Sequence, residues 1–174
     1  MVIATLGRFL RCRKGSPAVE FALIAPVMIL MYMGSSEICQ AVVAKRKLTQ
    51  VADTVSDLVG RSDTLSAADV TAIREVADDI MFPTPWAQSD NICVRYYKKN
   101  ASNAIVQDWA NGCSGNGTTP PANMFPAATS SLVVVTATYA YTSPTTNLFI
   151  PNGMSLSTTA YYTPRDSEYV VYTN

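Results

Sequence analysis

Arg11–Glu37 reads RCRKGSPAVEFALIAPVMILMYMGSSE, and the rest of the chain takes its meaning from this stretch. A basic cluster (Arg8, Arg11, Arg13, Lys14) gives way at Gly15 to an apolar run from Phe21 to Met33. About 20 apolar residues cross a bilayer core as a helix. Ser16 to Gly34 supplies 19 positions with only Glu20 charged, so 16–34 is read as a transmembrane helix. The positive cluster on its N-terminal side orients that end to the cytoplasm. A carboxylate at the head of such a segment is costly to bury and reads as functional by default.

The order of these features matters. A secretory signal has a basic region, an apolar core and then a small-residue cleavage site. Here the basic residues abut a glycine, and the apolar segment follows that glycine. Gly15-Ser16-Pro17-Ala18-Val19-Glu20-Phe21 has the arrangement of a prepilin processing site. Cleavage between Gly15 and Ser16 would remove residues 1–15 as a basic leader, with Arg13 and Lys14 before the cut and Glu20-Phe21 beyond it. The cut would create an ammonium at Ser16, about one turn of helix from the Glu20 carboxylate. An unpaired carboxylate is strongly disfavoured in apolar surroundings. Pairing with its own ammonium, or with that of a neighbouring subunit, would make Glu20 a register device for assembly.

The same residues carry a resemblance. Arg13-Lys14-Gly15, Ala18-Val19-Glu20-Phe21-Ala22-Leu23, Pro26, Gly34 and Glu37 resemble the TadE-like minor pilins (pseudopilins) of bacterial tight-adherence, or Flp, pilus systems. A looser likeness continues through a Cys…Trp…Cys region and a strand ending Tyr139-Ala140-Tyr141. The resemblance implies a pilin-like fold, processing by a prepilin peptidase, and partners among major and minor pilins and an inner-membrane assembly platform. It implies a membrane-anchored structural protein with its head outside the cytoplasm, not an enzyme, and no cofactor.

Charge and cysteines agree with export. Lys plus Arg and Asp plus Glu each number 13, but the first fifteen residues hold four bases and no acid. Lys45-Arg46-Lys47 is too small a basic patch to be a nucleic-acid footprint and reads as a solvated helix face. The chain has no histidine, which excludes Ser-His-acid and Cys-His nucleophilic sites and histidine-bearing zinc sites. No CxxC spacing is present, so no metal site is assigned. Cys12 lies in the leader and Cys39 just past the apolar segment. Cys93 and Cys113 fall in the distal domain, where an oxidising exterior makes them the natural disulfide. Closing such a loop is worth roughly 3 kcal/mol in the chain-entropy model. Two buried free thiols are the alternative.

Beyond the apolar segment, Ala41, Ala44, Leu48, Val51, Val55 and Leu58 keep a helical spacing. The helix is therefore expected to continue as an amphipathic stem over 35–60, ended by Gly60. Pro26 is expected to kink or loosen its first half. A second helix opens at Ser66, with Asp69 as reciprocal cap and Leu65 and Val70 as a hydrophobic staple. Its apolar stripe runs Val70, Ile73, Val76 or Ala77, and Ile80, and Pro83 and Pro85 end it. Strands are predicted at Ile92–Lys99, Ala104–Trp109, Ser131–Tyr141 and Met154–Tyr162, with 111–124 a loop and Tyr169–Tyr172 an edge strand or a loose tail. Asn100-Ala101-Ser102 and Asn116-Gly117-Thr118 match the glycosylation acceptor pattern, a short pattern common by chance.

The fold expected is α+β: a long N-terminal membrane-spanning helix and stem, a second short helix, and a small antiparallel sheet, with 61–174 as the extracytoplasmic head. The function expected is that of a minor pilin needed for priming, capping or regulating a tight-adherence pilus. An uncleaved single-pass surface protein would use the same anchor with 111–124 or Leu148-Phe149-Ile150 as its contact surface. A secreted enzyme using Asp90 and Asp108, and a secreted protein cut near Ser36, are weaker rivals.

Overall fold

In the computed structural model the described residues are 16–84, 86, 91–100, 102–115, 117–125, 130–143, 150–164 and 170–173. The leader with Arg13, Lys14 and Gly15, and the positions Pro85, Asp90, Asn116, Leu148, Phe149 and Tyr169, lie outside them. The fold is α+β: among the described residues it has one long α-helix, one short α-helix and a four-stranded antiparallel sheet.

Helix α1 runs from Ser16 to Arg61 without a break, with Pro26 inside it. At the standard rise its 46 residues reach about 69 Å. Its first half is uncovered on every side: the large apolar residues from Val19 to Tyr32 are 48% to 76% exposed. It is long and apolar enough to cross a membrane, and a helix apolar all round has no water-facing side. Gly34 is its first buried residue. From Ala41 a stripe of Ala44, Leu48, Val51, Ala52, Val55 and Val59 is buried. Val59 takes the inward place expected of Leu58, because seven residues at 3.6 per turn fall short of two full turns and the stripe drifts around the helix.

Gly60 does not stop the helix. It is buried inside the last turn, where a Cβ would overlap the Tyr162 ring. The stop lies just beyond, where the Ser62 hydroxyl donates to the Leu58 carbonyl (3.0 Å) and the Ser62 amide to that of Val59 (3.3 Å). Arg61 pairs with Asp57 one turn back at 2.9 Å.

Strand β1 (Thr64–Ser66) leads into helix α2 (Ala67–Met81) through a complete capping box. The Ser66 hydroxyl accepts from the Asp69 amide (3.3 Å), and the Asp69 carboxylate accepts from the Ser66 amide (2.8 Å). Hydrogen bonds from the Ser66 hydroxyl, then from its backbone, hold the Asp69 carboxyl below the usual range. Val70, Ala77 and Met81 are buried, with Ile73 and Ile80 packed at the edge of the core. Ala77 is the inward residue; Val76 is 40% exposed. The helix ends at Met81, with Phe82 as its C-cap ahead of Pro83.

Strands β2 (Ile92–Lys99), β3 (Ile105–Asn111), β4 (Ser131–Tyr141) and β5 (Met154–Tyr162) form a sheet in the order β3-β2-β4-β5, every pair antiparallel. Strand β3 extends past the expected Trp109, because Asn111 still pairs with Val94. The turn before it is set by Asn100, whose side-chain oxygen accepts from the Ser102 and Ala104 amides. Asn103 takes a positive φ of 65°, which asparagine tolerates.

Strand β4 is buried on both faces. Val133, Val135, Ala137, Tyr139 and Tyr141 belong to the core shared with α1, while Leu132 and Val134 pack with Tyr97 and Phe125 on the other side. Period-two alternation sorts the residues, and each fully buried Val or Leu contributes roughly 1.5–3 kcal/mol. The C-terminus does add a strand, β6 (Val171–Thr173), but it pairs in parallel with β1 and not with the main sheet.

Candidate functional site

Two regions of α1 carry the functional reading: its exposed N-terminal half, and the turn at Glu37 where the head first grips it. Ser16 is the first helical residue. Glu20 and Phe21 stand on the exposed surface of the following turns, Phe21 70% exposed. Glu20 does not lie among head residues: the first buried position of α1, Gly34, is about 21 Å further along the axis.

Glu37 helps carry the resemblance, but sequence reasoning gave it no role. It is fully buried. The Ser143 hydroxyl donates to its carboxylate (3.1 Å), and the Tyr141 hydroxyl reaches its carbonyl oxygen (3.4 Å). A buried carboxylate is tolerable only with such partners. Burial, then the Glu37 charge and Tyr139, push the Tyr141 phenol above its ordinary value. The signal available was its place in the quoted block, an acid one turn past the apolar run. Its partners are more than 100 residues away, and nothing in the local pattern points to them.

Strand β4 runs towards this junction and β5 away from it. Tyr141 meets Glu37, the Lys45 ammonium donates to the Ser157 carbonyl, and Tyr162 meets Gly60. Helix α2 folds back along α1, so that the Lys47 ammonium donates to the Phe82 carbonyl (2.5 Å). Between α1 and the end of β4 lies an open cleft of about 600 Å³, lined by Cys39, Val43, Lys47, Pro83, Tyr139 and Tyr141 among others. Cys39 is exposed and unbonded.

At the open end of the β2–β3 hairpin, Cys93 and Cys113 are joined, their Cα atoms 4.6 Å apart. Trp109, between them in sequence, stacks on Tyr96 (5.6 Å between centroids) and Tyr172 (5.5 Å). Its indole N–H donates to the Val170 carbonyl (3.0 Å), and the Val170 amide donates to the Tyr96 hydroxyl (3.1 Å). This stack fastens the tail to the sheet.

The arrangement offers no catalytic constellation among the described residues. Asp108 pairs with Lys98 at 2.5 Å on the surface, and its suggested partner Asp90 is outside the described residues. Among those residues no group of three or more acidic or cysteine ligands converges as a metal site.

No curated protein and no solved structure matches the chain. Residues 15–57, from Gly15 through the head-bearing turns of α1, match the family model described as TadE-like protein, and over that stretch the chain is similar to TadE-like proteins.

Proposed function

We propose that this is a minor pilin or pseudopilin, a membrane-anchored structural component needed to assemble a tight-adherence pilus. One observation carries the reading: the TadE-like match lies on α1, the helix whose first half is apolar and exposed all round. A helix of that kind is stable only in lipid or among other apolar helices. TadE-like proteins are associated with Tad pili as structural components, and no catalysis is assigned to this chain. The partners proposed are a prepilin peptidase, the inner-membrane assembly platform, and other major and minor pilins. The basic leader then lies on the cytoplasmic side of the inner membrane and the head outside it.

Processing tests the reading. The mature chain is expected to begin at Ser16, because the bases end at Gly15 and Glu20 follows at the spacing of a prepilin site. Intact mass and N-terminal sequencing of membrane-extracted protein would show it. A Gly15→Phe variant should keep its leader. A mature start near Ser36, or an uncut Met1 chain in cells with active peptidase, would sink the pilin reading.

A further inference from the structure

The uncovered apolar face of α1 does not stop where the sequence run does. Ile38 is 61% exposed, Val42 45% and Val43 52%, and Cys39 is exposed beside them. These four continue the face of the membrane-crossing turns past the exposed Ser35, whose hydroxyl donates back to the Tyr32 carbonyl (2.9 Å), up to Lys45-Arg46-Lys47. Phe82 stands at the same level, because Lys47 donates to its carbonyl, and its side chain is 77% exposed.

Length permits this face to lie in lipid. Twenty residues span a hydrocarbon core of about 30 Å. Counted from Ser16 they end near Ser35; counted from Phe21, the first residue past the acid, they end near Gln40. The headgroup layer adds about 5–7 Å on each side, roughly four residues of helix. The second count puts Ile38 and Cys39 at the top of the core, Val42 and Val43 in the headgroup layer, and Lys45–Lys47 at its outer edge, within reach of the phosphates for long side chains. The charges fit. Arg46 is exposed, and Lys45 and Lys47 donate only to carbonyl oxygens among the described residues. Each ammonium has three donors, which leaves capacity for phosphate. The acids Asp78 and Asp79 lie a turn back along α2, which climbs away from the membrane.

We propose that the head is seated on anionic phospholipid, with Ile38, Cys39, Val42, Val43 and Phe82 bedded in the interface and Lys45, Arg46 and Lys47 on the phosphates. This rests on the membrane-anchor reading above and sharpens it: 35–43 is interfacial and not part of a free stalk. Before incorporation into any larger structure, the head would be held flat to the bilayer. Basic residues near an anionic surface are attracted to it, and exposed aromatic and aliphatic side chains at that depth add apolar burial.

The test uses the full chain in vesicles of phosphatidylcholine, with and without phosphatidylglycerol. Cys12→Ser leaves Cys39 as the native labelling site. Adding Cys39→Ser provides a background for single cysteines at Val42, Val43 and Phe82, with Met28→Cys as the span control and Thr49→Cys as the distal control. A spin label reports contact with oxygen, which partitions into lipid, and with a water-soluble nickel complex. Positions 39, 42, 43 and 82 should show an oxygen-over-nickel ratio several-fold above that at 49, larger with phosphatidylglycerol and reduced by high salt. If 28 reads as lipid while 42 and 43 match 49, the seat is overturned and the anchor stands. If 28 reads as water, the anchor reading itself fails and the seat with it. Shielding of 42 and 43 from both reagents would mean that protein covers the face, and equal ratios in the two lipid mixtures would mean that charge plays no part. Either result overturns the proposal.

Discussion

At Gly60 and Asp78 single side chains behave in ways that local sequence could not announce. Glycine after an amphipathic run reads as a helix stop, yet Gly60 is there to admit the ring of Tyr162, 102 positions later. Ser66 and Asp69, by contrast, were legible because a capping box closes within four residues. Asp78 leaves one carboxylate oxygen buried with no hydrogen-bond partner among the described residues. Burial, then Asp79 and Glu75, push its carboxyl above the ordinary value. The sign follows from linkage: a carboxyl that holds its proton more tightly when folded opposes folding once the pH rises past its ordinary range. Asp78→Asn should therefore raise the melting temperature at pH 7, by less than about 1 kcal/mol in stability, and the gain should shrink towards about pH 4. Thermal melts of the detergent-solubilised chain at both pH values check this. A variant that is less stable at pH 7 would show that the charged carboxylate is being used.

Among the elements, those whose information is local were read to within a residue or two. Strand β4 could be read because eleven residues of nearly continuous β-branched and aromatic sequence admit only a buried central strand. Strand β1 was out of reach, and for β6 the sequence left an edge strand or a loose tail open: each is three residues long, and each finds its partner at the other end of the chain. The same holds for the pairing of β2 with β3, where a register shift between Tyr96 and Tyr97 accompanies the placing of Trp109 opposite Tyr96. Cys93 and Cys113 close that hairpin across 20 residues. A Cys93→Ser, Cys113→Ser pair should lower stability by roughly 3 kcal/mol in the chain-entropy model, with the stack on Trp109 loosening first because Asn111 stands between Trp109 and Cys113. Non-reducing peptide mapping of exported protein should recover one cross-linked peptide pair. Two free thiols there would rule the bridge out.

For the whole molecule, the separation between the two ends of α1 decides what its first acid can do. The head's core begins to involve α1 near Gly34 and Glu37, and is fastened again at Gly60 against Tyr162. Glu20 stands about 21 Å before the first of these, on the exposed half of the helix. Glu20→Gln keeps the volume and removes the charge, which makes burial in lipid easier while ending any ion pair with a Ser16 ammonium. Membrane insertion should survive, and so should the melting behaviour of the head and its cysteine state. Glu37→Gln supplies the contrast. It keeps an acceptor for Ser143 but replaces a buried carboxyl group inside the head by an amide, so it should change head stability and leave the apolar half of α1 untouched. What Glu20→Gln should lose is co-purification with pilus components and surface piliation, compared with wild type at matched membrane levels. Normal piliation would refute an assembly role for Glu20. A degraded or unfolded head would refute the independence of the two halves, and would mean that the turns before Gly34 carry strain or contacts into the sheet.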